Sequence, residues 1–522
     1  MGKTMKTRSN SILAGAASRG RGNLMLIVMV AMFVIMSATA TVLTVATNAL
    51  HLNSAQQLRA IAFNAAESGA DYAYQKLRDL TTSPTTLTAW DPFGGTQVLD
   101  TADHSTYRVT IYPDPNNATQ YRKIFRIVSI GAVGDKTQKI ELVVQQASFG
   151  RYAYFTDKET SSITGGAIWW KAGESVDGPV HSNNASGSNF NINYNGSSAP
   201  IFLDMVTAHG NSMNYNPSNP SNEATYGKIF KDGSKGFRLG VPAIQLPTST
   251  DIQKNAAWGG TTSFPGTNGV YLKANSQGGI YIRGDAAVTF SLNASGNQKI
   301  VIVQGSNTTT ITLNRSAHST SVSGPVGSGS NSSSANLPNG VIYCTGNITS
   351  LKGEIADNLY SGGQVTTRSA FTVATDVNND KNITITGNLI YHTRPDKTQS
   401  DTATCNLAAG TLGLVAHNTV ISTSTPTNVE LDAVMLSGGE NTDDGSFYAQ
   451  NHDSRSVGTL NVLGGIIQKA REPVGTFNAS TGQTTNGFSK DYHYDPRLAV
   501  NPPPFYPTTG QYEKLSWQIL TN

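Results

Sequence analysis

A mostly apolar run extends from Leu24 to Ala46; apolar residues then thin to helical spacing, and beyond residue 100 recur only in short strand-like runs. The first stretch, LMLIVMVAMFVIMSATATVLTVA, has no formal charge. It is long enough to span a bilayer as a helix. It passes into NALHLNSAQQLRAIAFNAAESGADYAYQKLRDL, which has no Pro and is rich in good helix formers. Leu58, Ile61, Ala62, Ala65 and Ala66 keep the helical period. The pattern predicts one transmembrane and amphipathic helix over 23–80, its first half in lipid and its second in water. Pro84, Pro92 and paired glycines then break it.

Three strand-like runs follow: STYRVTIYPD, YRKIFRIVSIGAVG and KTQKIELVVQQAS. Tyr107, Val109 and Ile111 alternate with polar residues, the period of a half-buried strand. Val133-Gly134-Asp135-Lys136 reads as the turn of a hairpin. A small antiparallel sheet over 81–148, packed on the outer half of the helix, is the expectation.

From Phe149 short apolar runs alternate with turns rich in Gly, Asn and Ser, and no convincing amphipathic helix appears. Many strands are apolar on both faces, which favours parallel stacking. TGNI at 345–348 and TGNL at 386–389 lie 41 residues apart, which suits two coils of about 20 residues. The fold class predicted is mainly β, with a right-handed parallel β-helix over 149–490; a β-sandwich is the alternative. Residues 491–522, containing YHYDPRLAVNPPPFYP, are assigned to a cap over the open end of that solenoid. Arg497 can reach Asp495 or Asp491 there.

Charge changes the picture at the N-terminus. Residues 1–22 carry Lys3, Lys6, Arg8, Arg19 and Arg21 and no acid. A basic flank stays cytoplasmic, so the remainder is expected outside the membrane. The leader's five basic residues exceed the whole chain's net charge of +3. The rest is therefore slightly acidic, and no nucleic-acid partner is expected. Only 14% of residues are charged, which fits an extracellular β protein better than a cytosolic enzyme. Cys344 and Cys405, the two cysteines, could pair in an oxidising compartment or stand as buried small apolar residues.

A basic leader ending in Gly, an apolar helix that runs on amphipathically, and AAESGADYAYQKL at 65–77 resemble the type IV pilins, in particular PilX-type minor pilins and pilus-assembly proteins. GPVHSN, APIFLDMVTA, LGLVAHNTVI, LDAVMLS and LNVLGGIIQKAREPVGTF look like the β-helical C-terminal domain of the PilX-like group. The resemblance implies processing between Gly22 and Asn23 by a prepilin peptidase, and packing of the helix against other pilin-like subunits and inner-membrane lipid. It also implies a place in the bacterial cell envelope: a single-pass protein, N-terminus cytoplasmic, ectodomain periplasmic or extracellular, in a pilus or beside one. One departure bears on polymerisation. Major pilins carry a Glu at the fifth position after the cut, where this chain has Ile27, and no acid occurs before Glu67. A rare or capping subunit, or an uncut anchor, fits better than a repeating one.

Candidate chemistry is sparse. Asp376, Asn378 and Asp380 stand at alternate positions, as oxygen ligands open a calcium loop, but Lys381 replaces the expected Gly and Gly387 the expected Glu. NTDDG at 441–445 is a similar run. Glu354, Asp357, Asp376 and Asp380 are the carboxylates a polysaccharide-cleaving β-helix enzyme would need. His181, His392, His417 and His493 are isolated, with no zinc spacing. Of the Trp169-Trp170 pair, one ring is expected in the core. The expected function is a minor pilin-like component or assembly factor, without enzymatic activity or cofactor, that carries a β-helix for structure or adhesion; the alternative is a membrane-anchored glycan-cleaving enzyme.

Overall fold

The structure is a computed structural model. It describes the chain except residues 1–18, 80–87, 115–122, 185–188, 195–197, 332, 362–363, 396–408, 440–443 and 522. It is mainly β, with one long N-terminal apolar helix.

That helix, α1, is continuous over Arg19–Arg78, so it begins four residues inside the basic leader. Its last third lies on an antiparallel sheet of β1 (Gln97–Asp100), β2 (Ser105–Pro113), β3 (Ile124–Val133) and β4 (Lys136–Ser148). β3 and β4 form the expected hairpin, with Val133 opposite Lys136 and Gly134 at φ 56°. Helix and sheet approach closely because both faces are small. Ala62, Ala65, Ala66, Ala70 and Ala73 are buried. A Cβ on Gly131 would lie 2.0 Å from the Ala62 carbonyl oxygen, and one on Gly69 would lie 2.5 Å from Ser129 Oγ. The AAESGA run is thus the surface that lets α1 settle on β3.

The sheet has a fifth strand that the sequence reading placed elsewhere. The C-terminal strand Thr508–Leu520 pairs antiparallel with β4, Trp517 opposite Leu142 and Ile519 opposite Ile140. Tyr74 Oη of α1 donates to the Tyr512 carbonyl at 2.7 Å, and Phe63 meets Trp517 edge to face. Residues 149–507 are therefore an insertion between two neighbouring strands, and Phe149 N–H donates to the Pro507 carbonyl at 3.1 Å where the chain leaves and returns.

The inserted body is built on parallel ladders. One runs, strand beside strand, through 237–238, 206–208, 180–182, 154–158, 466–470, 434–437, 411–416, 370–375, 341–344 and 280–283. This spatial order is not the chain order. The strand Gly458–Ala470, near the end of the sequence, pairs with Tyr154–Lys158 near the start of the body. The chain must then return from one end of the ladder to the other. Residues 241–268 do this along its outer face. Ile244 is bonded to Asn183, Thr250 Oγ1 donates to the Thr375 carbonyl, and the Ala257 carbonyl accepts from Gly279 N–H. Their apolar side chains cover outward-facing Phe155, Ile467, Val415, Tyr343 and Tyr281. This explains strands that are apolar on both faces. One face fills the interior and the other is roofed.

Several expectations need correction. TGNI and TGNL do not stack. Asn347 Oδ1 instead accepts from Asn382 N–H and Asn382 Oδ1 from Asn418 N–H, steps of 35 and 36 residues, so each turn is longer than the 20 residues expected. AVTFSL pairs parallel with strand 348–355 as a solenoid strand would, but KIVIVQG, read the same way, departs from the ladder: strands 286–292, 298–304, 307–314 and 319–323 form an antiparallel meander. Three short helices, Glu223–Ile229, Asp251–Trp258 and Arg497–Val500, occur among the described residues where none was foreseen. Residues 491–522 do not cover a ladder end. Strand Thr484–Tyr494 has parallel partners on both sides, 458–464 and 175–177. Asn501–Tyr506 lies over the roofed face, where Pro503 and Tyr506 pack on Gly413 and the Pro504 carbonyl accepts from Thr372 Oγ1. Asp495 and Arg497 form the expected pair, both buried, at 2.6 and 2.9 Å.

Candidate functional site

Two regions present chemistry outward: the first half of α1 and a cleft on the body. Residues Leu24–Leu50 of α1 are exposed throughout; Leu24, Phe33, Ile35, Val42 and Leu50 are all more than 60% exposed. By length and composition this is a helix able to cross a membrane. Its hydroxyls are already satisfied within the helix. Ser37 donates to the Val34 carbonyl at 2.9 Å, Thr39 to Ile35 at 2.7 Å, and Thr41, Thr44 and Thr47 each to the residue four back at 2.8 Å. Such back-bonding leaves no polar group of these side chains seeking water. Gly22 and Asn23 lie in the first turns of α1.

On the body, Ile168, Trp169, Lys171, Glu174, Val474, Phe477, Phe488 and Lys490 line a cleft of about 250 Å³. The parallel register that sets Asp491 beside Ser175 also brings Lys490 to Glu174, Nζ to Oε1 at 2.9 Å. The other Glu174 oxygen accepts from the Lys171 backbone N–H at 3.1 Å. Burial, against the opposing pull of Glu174, brings the Lys490 amine down to about 8. Trp170 is fully buried behind the cleft, packed edge to face on Tyr154 and Phe202 and 4.2 Å from Arg471, which pairs with buried Glu159. Trp169 stays half-buried in the wall. One ring of the pair is core, as expected. Lys171, Glu174 and Lys490 were missed, because the 315 residues between Glu174 and Lys490 hide their pairing; the adjacent tryptophans were the only signal.

The other sequence-marked residues have local partners. Asp376 precedes the 3-10 turn Val377–Asn379, and its carboxylate accepts from Asn379 Nδ2 at 2.9 Å. Asp380 takes the left-handed conformation at φ 54° and lies 3.6 Å from His417, whose other ring nitrogen is 3.6 Å from Asp444. Asn441–Asp443 lie outside the described residues. Among the described residues no three His, Cys, Asp or Glu side chains cluster as metal ligands would. Glu354 bonds His392 Nδ1 at 2.6 Å, which holds the imidazole above its usual range, and Asp357 accepts from Thr393 N–H and Oγ1. Those two carboxylates face residues 392–393, whereas Asp376 and Asp380 belong to the separate turn. His493 Nε2 bonds Asp491 at 2.8 Å. His181 is in the strand Val180–Ser182: Nδ1 bonds Thr207 Oγ1 at 2.8 Å, Nε2 bonds Asn183 Oδ1 at 3.0 Å, and Phe155 stacks on the ring. Burial lowers its pKa to about 4. Cys344 is buried and free, and burial pushes its thiol up to about 12. Cys405 lies outside the described residues.

A family model described as a domain of unknown function (DUF4900) matches residues 120–210, which run from before β3 into the first ladder strands. No curated protein matches the chain. Among solved structures, the crystal structure of the competence-associated pilin ComZ from Thermus thermophilus aligns at 15% identity over 89% of this chain and 97% of that one, with a TM-score of 0.29. At that score the likeness carries no weight for fold or function.

Proposed function

We propose that this chain is a membrane-anchored, pilin-like protein of the bacterial envelope, a minor component or assembly factor of a type IV pilus or related secretion system. The observation that carries the reading is the division of α1. One half is bare, apolar and internally satisfied; the other is docked through small residues on an antiparallel sheet. A bare apolar half needs lipid or the helices of other subunits around it. The basic leader places the N-terminus in the cytoplasm and the body outside. A prepilin peptidase cuts after Gly22. Ile27 in place of an acid argues for rare incorporation, since no carboxylate is available to pair with a neighbour's amino terminus.

The body is read as a right-handed parallel β-helix. The parallel ladders and the stacked Asn347, Asn382 and Asn418 support this. Its role is structure or adhesion rather than catalysis, and it works without a cofactor. Mass spectrometry of sheared surface fibres and of the membrane fraction tests the proposal. A mature chain beginning at Asn23, held in the membrane and present at low level in fibres, is the expected result. A soluble chain retaining residues 1–22 would sink it.

A further inference from the structure

We propose that the cleft between Lys171–Glu174 and the strand Thr484–Tyr494 binds a carboxylated sugar ring, a hexuronate unit of an acidic glycan. The idea concerns what the body holds and stands whether or not the chain enters a pilus. Three properties of the site converge on that ligand.

The first is size. At about 250 Å³ the cleft is smaller than the ~300–1,000 Å³ usual for drug-sized ligands, so it accommodates one ring. The second is the wall. Trp169 and Phe477 are half-buried there, giving flat apolar surface of the sort that packs on the C–H face of a pyranose. The third is charge. Two ammonium groups, Lys171 and Lys490, line the cleft against one carboxylate, Glu174, leaving an excess of one positive charge. Neighbouring Arg471 and Glu159 neutralise each other. A ligand carboxylate supplies the missing anion to Lys490, whose three donors are not exhausted by Glu174. Glu174, held by Lys171 N–H and Lys490, keeps lone pairs for sugar hydroxyls.

The full-length protein in detergent micelles tests this with D-glucuronate, D-glucose, acetate and benzoate, by calorimetry and by the rate of reductive methylation of Lys490. Glucuronate should bind and slow Lys490 methylation at least tenfold, with glucose and acetate at least tenfold weaker. Trp169→Ala, at the rim, should weaken glucuronate about tenfold without unfolding the chain. The pair Lys490→Met with Glu174→Leu removes both charges together, so neither is left buried alone, and should abolish binding. Equal binding of glucose, benzoate as tight as glucuronate, or undiminished binding by the double variant would each overturn the proposal, as would no binding at all.

Discussion

The two halves of α1 are one helix with opposite surroundings. From Leu24 to Leu50 its side chains are large, apolar and exposed. From Ala62 to Leu77 its buried side chains are mostly alanine, pressed against β2, β3 and β4. The apolar half is left exposed by the described residues, while the small half is matched to Gly131 and Ser129 at close range. Bulk marks the surface meant for an outside partner, and smallness marks the surface already partnered. In the docked half close approach, rather than buried area, does the holding.

The largest effect should come from breaking that approach. Gly131→Val adds carbon within about 2 Å of α1 backbone atoms that cannot move aside separately. Ordinary overpacking costs ~1–3 kcal/mol, and this clash should exceed it and release the helix from the sheet. Valine suits a strand, so β propensity cannot account for the loss. Limited proteolysis within residues 60–78 and the thermal midpoint are the readouts. The bare half is broken differently. Val34→Asp should leave the thermal midpoint unchanged yet cost on the order of 3 kcal/mol on insertion, seen as release of the protein from alkali-washed membranes.

Acid should distinguish the body from both halves. His181 is a base whose folded pKa, about 4, lies below its unfolded value of 6.5. The unfolded chain therefore binds the extra proton between pH 6.5 and 4, and stability falls as pH falls through that window. The full loss is about 3 kcal/mol at and below pH 4. His181→Gln should flatten that part of the denaturation profile. The smallest effect is expected at the exposed ion pair of Lys514 and Asp71, 2.9 Å apart between the C-terminal strand and α1. Lys514→Met should shift stability by less than ~1 kcal/mol, in contrast with Gly131→Val on the same interface.

Local patterns were legible and distant pairings were not. The helix, the three strands of the small sheet and the two-faced apolar strands each announce themselves within a dozen residues. The fifth strand does not, because Thr508–Leu520 finds β4 only after the whole body has intervened. The asparagine stack was hidden by composition: among so many Asn residues, TGNI and TGNL looked like a repeat while the true steps ran Asn347, Asn382, Asn418. A roof over the ladder could be inferred only once outward-facing tyrosines were seen to need cover. The cleft depended on Lys490 and Glu174 meeting across coils that no spacing in the chain foretells.

The central claim is that α1 changes environment along its length, from lipid to water and protein. Spin labels at Val34→Cys and Gln57→Cys, in a chain with Cys405→Ser and buried Cys344 left in place, report this directly in lipid vesicles. The account predicts that the label at 34 is relaxed by oxygen and shielded from a nickel chelate, with the reverse at 57, where Gln57 faces solvent. Equal access of the nickel chelate to both positions would contradict it.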